Sequence, residues 1–429
     1  MKTPLFSLLL LLALTAVPAG VRAAQDTFRT WTSSDGKTLE AVLMAVQGDT
    51  VKLKLRTGAV VPVPLSRLSA DDQAFAKGAA AAPASAGKTE PQADKPVPPS
   101  ASEMPPPPAA EKTWPRTVAL GTDVMPVTVV KEDVAAKKFV YRSEHYEFRC
   151  DSRLGTNVVK EFNRIFEATY LVNCKLPLDF KPTPESSDKY FVAQLYTSKD
   201  DYFASGGIKG SAGVYQGGKK ELSLPLSSLG VMMVGSRVSL EPSKEKDNAT
   251  LIHEITHQMM NHWLNHLPVW YAEGSAEYVS LLKYEHGRFN LSGLGERLHH
   301  YLQGQGGDGK HFTMLDLEEL TSIEDPAWEA AFAKGEDQVS QNYASSALLT
   351  YYFYHLDDQR DAAHMIAYLR AVDKANTKEE HQAAFKTFLQ RDRSFADLKT
   401  DVKKGLRKEG IEIDFAAFGK NPKVSEAAK

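Results

Sequence analysis

Cysteine is nearly absent from this chain: Cys150 and Cys174 are the only two in 429 residues. That excludes a disulfide-built scaffold, and neither thiol stands at the spacing of a cysteine metal site. One disulfide and two free buried thiols both remain open. Long apolar runs are missing as well. Past residue 23 nothing approaches the roughly 20 apolar residues that a membrane helix needs. Blocks of like charge are absent, and the formal net charge is only -3. Neither nucleic acid nor an anionic membrane is therefore expected as a main partner.

What is present divides the chain. Residues 1–23 carry Lys2, an apolar stretch over 5–17 and the small-residue end Val21-Arg22-Ala23. That is the pattern of a secretory signal, so the mature chain is expected to be secreted or periplasmic, with no membrane span once the signal is cut. An uncleaved anchor is the alternative; no cysteine lies at the cut, so the sequence gives no lipoprotein signal. Residues 78–115 turn Ala/Pro-rich and hold ten of the 23 prolines. Such a stretch buries too little to fold and reads as a semi-extended tether. It separates a front module, 27–77, from a back module, 117–420.

The front module alternates as strands do over 28–31, 39–46, 51–55 and 60–64, with turn residues at Asp35-Gly36, Gln47-Gly48-Asp49 and Thr57-Gly58. A small antiparallel barrel fits this pattern. Arg29-Thr30-Trp31, Asp35-Gly36-Lys37 and Leu65-Ser66-Arg67-Leu68-Ser69 before Asp71-Asp72-Gln73 resemble the SH3-like homology domain of endocytic adaptors. The resemblance spans some fifty residues and implies an all-β SH3-like barrel with a protein or peptide ligand.

In the back module, 157–172 has helical spacing and 190–196 reads as a buried strand. Ser198 and Asp201 suggest a capping box, and 213–215 with 222–224 a hairpin across Gly217-Gly218. From Pro268 onward the periods are mainly helical.

The chemistry concentrates in His253-Glu254-Ile255-Thr256-His257. Residues four apart on a helix differ by roughly 40° and about 6 Å, so both imidazoles share a face at a span one cation can bridge. Glu254 stands about 100° round the helix, beside the cation rather than on it, as a general base must. Leu251, Ile252, Ile255, Met259 and Trp263 give the same helix an apolar face. Asp247 or Asn248 is a candidate cap, and Pro268 opens a second helix. That helix carries Glu273 and Glu277 on one face. Two His and one Glu make a catalytic zinc set, which keeps one coordination place open. Glu277, one turn on, can accept the free N–H of a ligating His.

H-E-x-x-H followed by Trp270, Glu273, Gly274, Ala276, Glu277 and Tyr278 resembles the gluzincin metallopeptidases, and most nearly the bacterial peptidase-MA-like families of unassigned substrate. The resemblance implies one Zn2+ on His253, His257 and Glu273, Glu254 as base and Glu277 bracing the first His. It also implies a tyrosine that donates to the oxyanion, for which Tyr343 in Gln341-Asn342-Tyr343-Ala344-Ser345 is the candidate. A metzincin reading fails, because its third His would fall at Trp263, and His262 and His266 are off register.

The expected architecture is multidomain: an SH3-like barrel, then an α+β gluzincin-type domain with an N-terminal sheet, an active-site helix and a mainly helical C-terminal part. The expected activity is zinc-dependent hydrolysis of peptide or protein substrates. A non-catalytic binding or scaffold protein with a structural or degenerate zinc site is the competing reading. An amidase acting on cell-wall peptides would share the chemistry.

Overall fold

The computed structural model describes residues 29–34, 38–47, 50–55, 60–81, 113–121, 126–184, 189–208, 211, 213–234, 237–240, 248–261, 264, 267–357, 362–375 and 377–419. The expected signal segment, most of the tether, the turns near 35–37, 48–49 and 57–58, and Asp247, His262, Trp263 and His266 lie outside these residues. The described residues fall into two units, 29–81 and 113–419. None of their helices is long and apolar enough to cross a membrane.

In the front unit the alternating segments become β1 (Arg29–Thr32), β2 (Thr38–Gln47), β3 (Thr50–Leu55) and β4 (Val60–Pro64), an antiparallel sheet in sequence order. Trp31, Ala41, Leu43, Val51 and Leu53 supply its buried face, completed by Leu65, Leu68 and Ala76. The expected closed barrel is not seen. Among the described residues β1 and β4 do not pair as strands. A single antiparallel bridge, Ser33 with Leu68, joins the end of β1 to the chain after β4 without closing the sheet. Beside it the Ser34 N–H donates to the Arg67 carbonyl and the Ser69 N–H to the Thr32 carbonyl, at 2.8 Å each. A helix not anticipated from the sequence, α1 (Ala70–Ala81), packs on it and runs past the start of the Ala/Pro-rich stretch. Its anchor is the buried carboxylate of Asp72. This group accepts the Thr32 N–H at 2.6 Å and the Ser69 hydroxyl at 3.1 Å, and pairs with Arg29 at 2.5 Å.

The back unit mixes α and β. After β5 (Thr117–Ala119) come β6 (Thr128–Asp133), β7 (Lys138–Arg142), β8 (Tyr146–Cys150), α2 (Thr156–Lys175), β9 (Phe191–Tyr196), α3 (Lys199–Ala204), β10 (Val214–Gln216) and β11 (Glu221–Pro225). Six of these strands form one sheet in the order β10-β11-β9-β8-β7-β6, parallel at β8/β9 and β9/β11 and antiparallel elsewhere. The helix expected over 157–172 is α2, whose Val159, Phe162, Ile165 and Phe166 are buried at helical spacing. Ser198 caps α3, and the β10/β11 hairpin turns at 217–220.

A second hairpin, β12 (Val231–Val234) with β13 (Arg237–Leu240), precedes α4 (Ala249–Met259) and α5 (Val269–Ser280). The strands β14 (Lys283–Glu285) and β15 (Arg288–Asn290) join β5 in a small sheet. Then follow α6 (Leu294–Gly304), β16 (His311–Leu315), α7 (Leu317–Ser322), α8 (Asp325–Lys334), α9 (Glu336–Tyr351), α10 (Ala363–Val372), α11 (Lys378–Ala384), α12 (Phe395–Arg407) and β17 (Glu412–Ala416). The last strand pairs in parallel with β16.

One core runs through this unit. Cys150 and Cys174 are separate buried thiols, and burial pushes each up to about 12, which leaves them inert as nucleophiles. Trp114, at the end of the Ala/Pro-rich stretch, packs on this core through Tyr354, Tyr278 and His355, with ring centroids 5.3, 5.8 and 4.4 Å away.

His355 is held neutral. Burial lowers its pKa to about 4, and its Nε2 accepts from the Tyr278 hydroxyl at 2.9 Å. Above the ordinary value of about 6.5, folded and unfolded chains both carry it uncharged. Between about 6.5 and 4 only the unfolded chain takes up the proton, so stability falls as pH drops through that window. Unfolding by denaturant should show a loss on the order of 2–3 kcal/mol across it, and H355Q should remove that part of the slope.

Candidate metal centre

Helix α4 is buried on every side from Thr250 to Met259, not only along its apolar stripe. The core holds one face. Gln258 Nε2 ties the helix to β9 by donating to the Val192 carbonyl at 2.9 Å. The other face, with His253 and His257, turns to α5. Asn248 occupies the N-cap position in a helical conformation and its side chain caps nothing, contrary to the expectation from its type. Pro268 is the N-cap of α5, and its carbonyl accepts the Tyr271 and Ala272 N–H groups at 3.0 and 3.1 Å.

What sets α5 in place is Gly274. A β-carbon there would lie 2.5 Å from the Ser346 carbonyl oxygen of α9, and closer still to Thr350 Oγ1. Only a residue without a side chain lets α5 and α9 approach this closely. The approach brings Tyr343 of α9 to the centre, its ring 6.1 Å from that of His253.

His253, His257 and Glu273 converge, each nearly inaccessible to solvent. The two Nε2 atoms are 3.0 Å apart, and Glu273 Oε2 lies 3.2 Å from the first and 3.4 Å from the second. Donors at about 2.0–2.1 Å from a tetrahedral zinc are spaced by about 3.4 Å, so this triangle fits a small divalent cation. The donor set and its burial point the same way. Two imidazole nitrogens face each other without an acceptor between them, and Glu273 Oε2 accepts no well-formed hydrogen bond. Buried polar atoms left in this state are costly unless a cation or proton joins them. The three residues can therefore hold a metal ion.

The remaining expected residues surround the triad. Glu277 Oε1 is 3.1 Å from His253 Nδ1, where it fixes the ring with Nε2 turned to the cluster. Neither Nδ1 makes a well-formed hydrogen bond, and no carboxylate stands beside that of His257 as Glu277 does beside that of His253. Glu254 is outside the triad, and its Oε2 accepts the Tyr215 N–H of β10 at 3.3 Å while Oε1 is unengaged. The Tyr343 hydroxyl is buried and unpartnered.

The electrostatics follow from burial. Burial pushes the Glu254 carboxyl up to about 8, against the lowering charge of His253. Burial also acts to raise Glu273, but the charge of His257 and the close approach of both imidazoles take it down to about 2. Burial alone would lower His253, and the hydrogen bonds and charges of Glu273 and Glu277 reverse this, holding it well above the ordinary histidine value. Burial keeps His257 low. Tyr343 is raised well above the ordinary tyrosine value by burial and then by Glu273, Glu277 and Glu254, so it stays a hydroxyl donor.

Two contributors escaped the sequence reading. Tyr215 acts through its backbone amide, which leaves no trace in residue type. Trp328 of α8 packs edge-on against Tyr343 at 5.4 Å, and only the α8/α9 packing reveals it. Comparisons with family models, curated proteins and solved structures return no match for this chain.

Two variants test the centre. On an exposed helix Gly→Ala would stabilise by about 1 kcal/mol, but overpacking at the α5/α9 contact costs about 1–3 kcal/mol. G274A should therefore lower stability in denaturant unfolding and weaken metal retention on dialysis. Glu273→Ala should lower bound zinc measured by atomic absorption. Full occupancy in that variant would move the third ligand elsewhere, with Glu277 next.

Proposed function

We propose that this chain is an exported zinc-dependent peptidase of the gluzincin type, hydrolysing peptide or protein substrates. The observation that carries the reading is the division of labour among the buried groups. Three donors form a cation-sized triangle, and the carboxylate adjacent in sequence to the first of them stands outside it, unengaged at Oε1. A purely structural site has no use for such a fourth group.

Zinc on His253, His257 and Glu273 would supply Lewis acidity that lowers the pKa of a water and polarises a carbonyl. The chain does the rest. Glu254, whose buried carboxyl readily holds a proton, takes it from the attacking water and returns it to the leaving amine. Tyr343, kept protonated by its surroundings, donates to the developing oxyanion. Glu277 maintains the His253 tautomer.

Substrate backbone is positioned by β10. This strand is an edge of the six-stranded sheet, and its Tyr215 amide already faces Glu254. An extended peptide adding to that edge would bring a backbone amide next to the base. The front unit, with its Trp31-centred sheet and the helix pinned by Asp72, serves in this reading as an SH3-like adaptor module that binds a protein or peptide partner.

Glu254→Gln separates catalysis from metal binding. The variant should keep its zinc, because Glu254 is not a ligand, and lose roughly 10²–10⁴-fold in turnover of a peptide library. Turnover equal to that of the unaltered chain would remove Glu254 as the base. Absence of cleavage by the unaltered zinc-loaded chain would favour a binding or scaffold protein.

A further inference from the structure

A cavity of 530 Å³ opens among Trp114, the C-terminal end of α5, the start of α6 and the segment after α12. None of the metal-centre residues lines it. Its volume falls within the range of small-molecule sites. One wall is aromatic, formed by Trp114, Tyr278 and Tyr351 around His355, which is centred 4.4 Å from Trp114, 5.6 Å from Tyr278 and 4.9 Å from Tyr351. The Trp114 Nε1–H in this wall is buried and donates to nothing.

Charge at the cavity is asymmetric. Arg116 and Lys408 stand exposed at its border, and among the described residues no ion pair engages either. The one carboxylate in the lining, Glu409, is directed away from the two cations' open side: its Oε2 lies over the first turn of α6, close to where a β-carbon on Gly295 would be, and its charge acts on Tyr351. His355 adds no charge at neutral pH. The balance is an aromatic recess bordered by two cations that no ion pair engages among the described residues.

We propose that this cavity is a second ligand site, taking a small aromatic carboxylate. The ring would stack within the Trp114, Tyr278 and Tyr351 wall and the carboxylate would meet Arg116 and Lys408. Binding here is independent of the peptidase reading, since the site shares no residue with the metal centre.

Calorimetric titration of the full chain with indole-3-acetate, and with indole-3-acetamide of the same shape but no charge, tests this. The acetate should bind saturably at one site and the amide at least tenfold more weakly. The double variant R116E/K408E alters two exposed side chains, so its fold should persist by circular dichroism. It should weaken acetate binding at least tenfold and leave amide binding unchanged. Ser292→Phe, which fills the cavity, should abolish both. The proposal is overturned if indole-3-acetate shows no saturable binding at millimolar concentration, if acid and amide bind alike, or if the double variant binds as the unaltered chain does. Inorganic phosphate competing as strongly as indole-3-acetate would also overturn it, by revealing a bare anion site.

Discussion

Isolation from water governs the centre of this protein. His253, Glu254, His257, Glu273 and Glu277 are all buried, and an ionised carboxylate taken out of water costs several kcal/mol unless something replaces its hydration. Each group therefore depends on its neighbours. Glu273 is kept ionised by two imidazoles, Glu277 answers the far nitrogen of His253, and Glu254 retains a strong affinity for a proton. A divalent cation held here would replace the proton that these groups must otherwise share, and its binding would then be coupled to the fold.

That mutual dependence sets demands on the surrounding packing. The second helix must lie close enough for Glu273 to reach both rings, and the absence of a side chain at Gly274 lets it sink against α9. The first helix must not rotate, and Gln258 pins it to the sheet. The sheet in turn delivers the edge strand whose Tyr215 amide reaches Glu254. Sheet and helical region thus meet at one buried point, each contributing a different kind of group. The aromatic cavity behind α5 is built from the C-terminal parts of the same helices, with Trp114 as its outer wall.

Much of this was legible in the sequence because it rests on short-range periodicity. A four-residue interval places His253 and His257 on one helical face wherever that helix lies, and the spacing of Glu273 and Glu277 obeys the same rule. The strands of the front unit, β9 and the β10/β11 hairpin also followed from alternation and turn residues, whereas β5 and β12 to β17 were not read from the sequence. The misses have a common physical origin. Barrel closure depends on how far β1 pairs with the chain after β4, where a single bridge from Ser33 to Leu68 forms, and alternation within each strand does not specify this. Helix α1 depends on Asp72 reaching across to Thr32 and Arg29, while its Ala-rich end looks like tether. Asn248 has the right chemistry for a cap and the wrong backbone conformation for one. Trp114 sits in proline-rich company yet finds an aromatic pocket.

The sequence by itself determined which donors exist and which of them share a helical face, since those relations span only a turn or two of backbone. Tertiary structure alone decided that Glu273 reaches both imidazoles, that Tyr343 arrives beside them from a distant helix, and that an edge-strand amide meets Glu254. Such meetings are fixed by side-chain volumes at helix crossings and strand order in a sheet, and no local pattern encodes them.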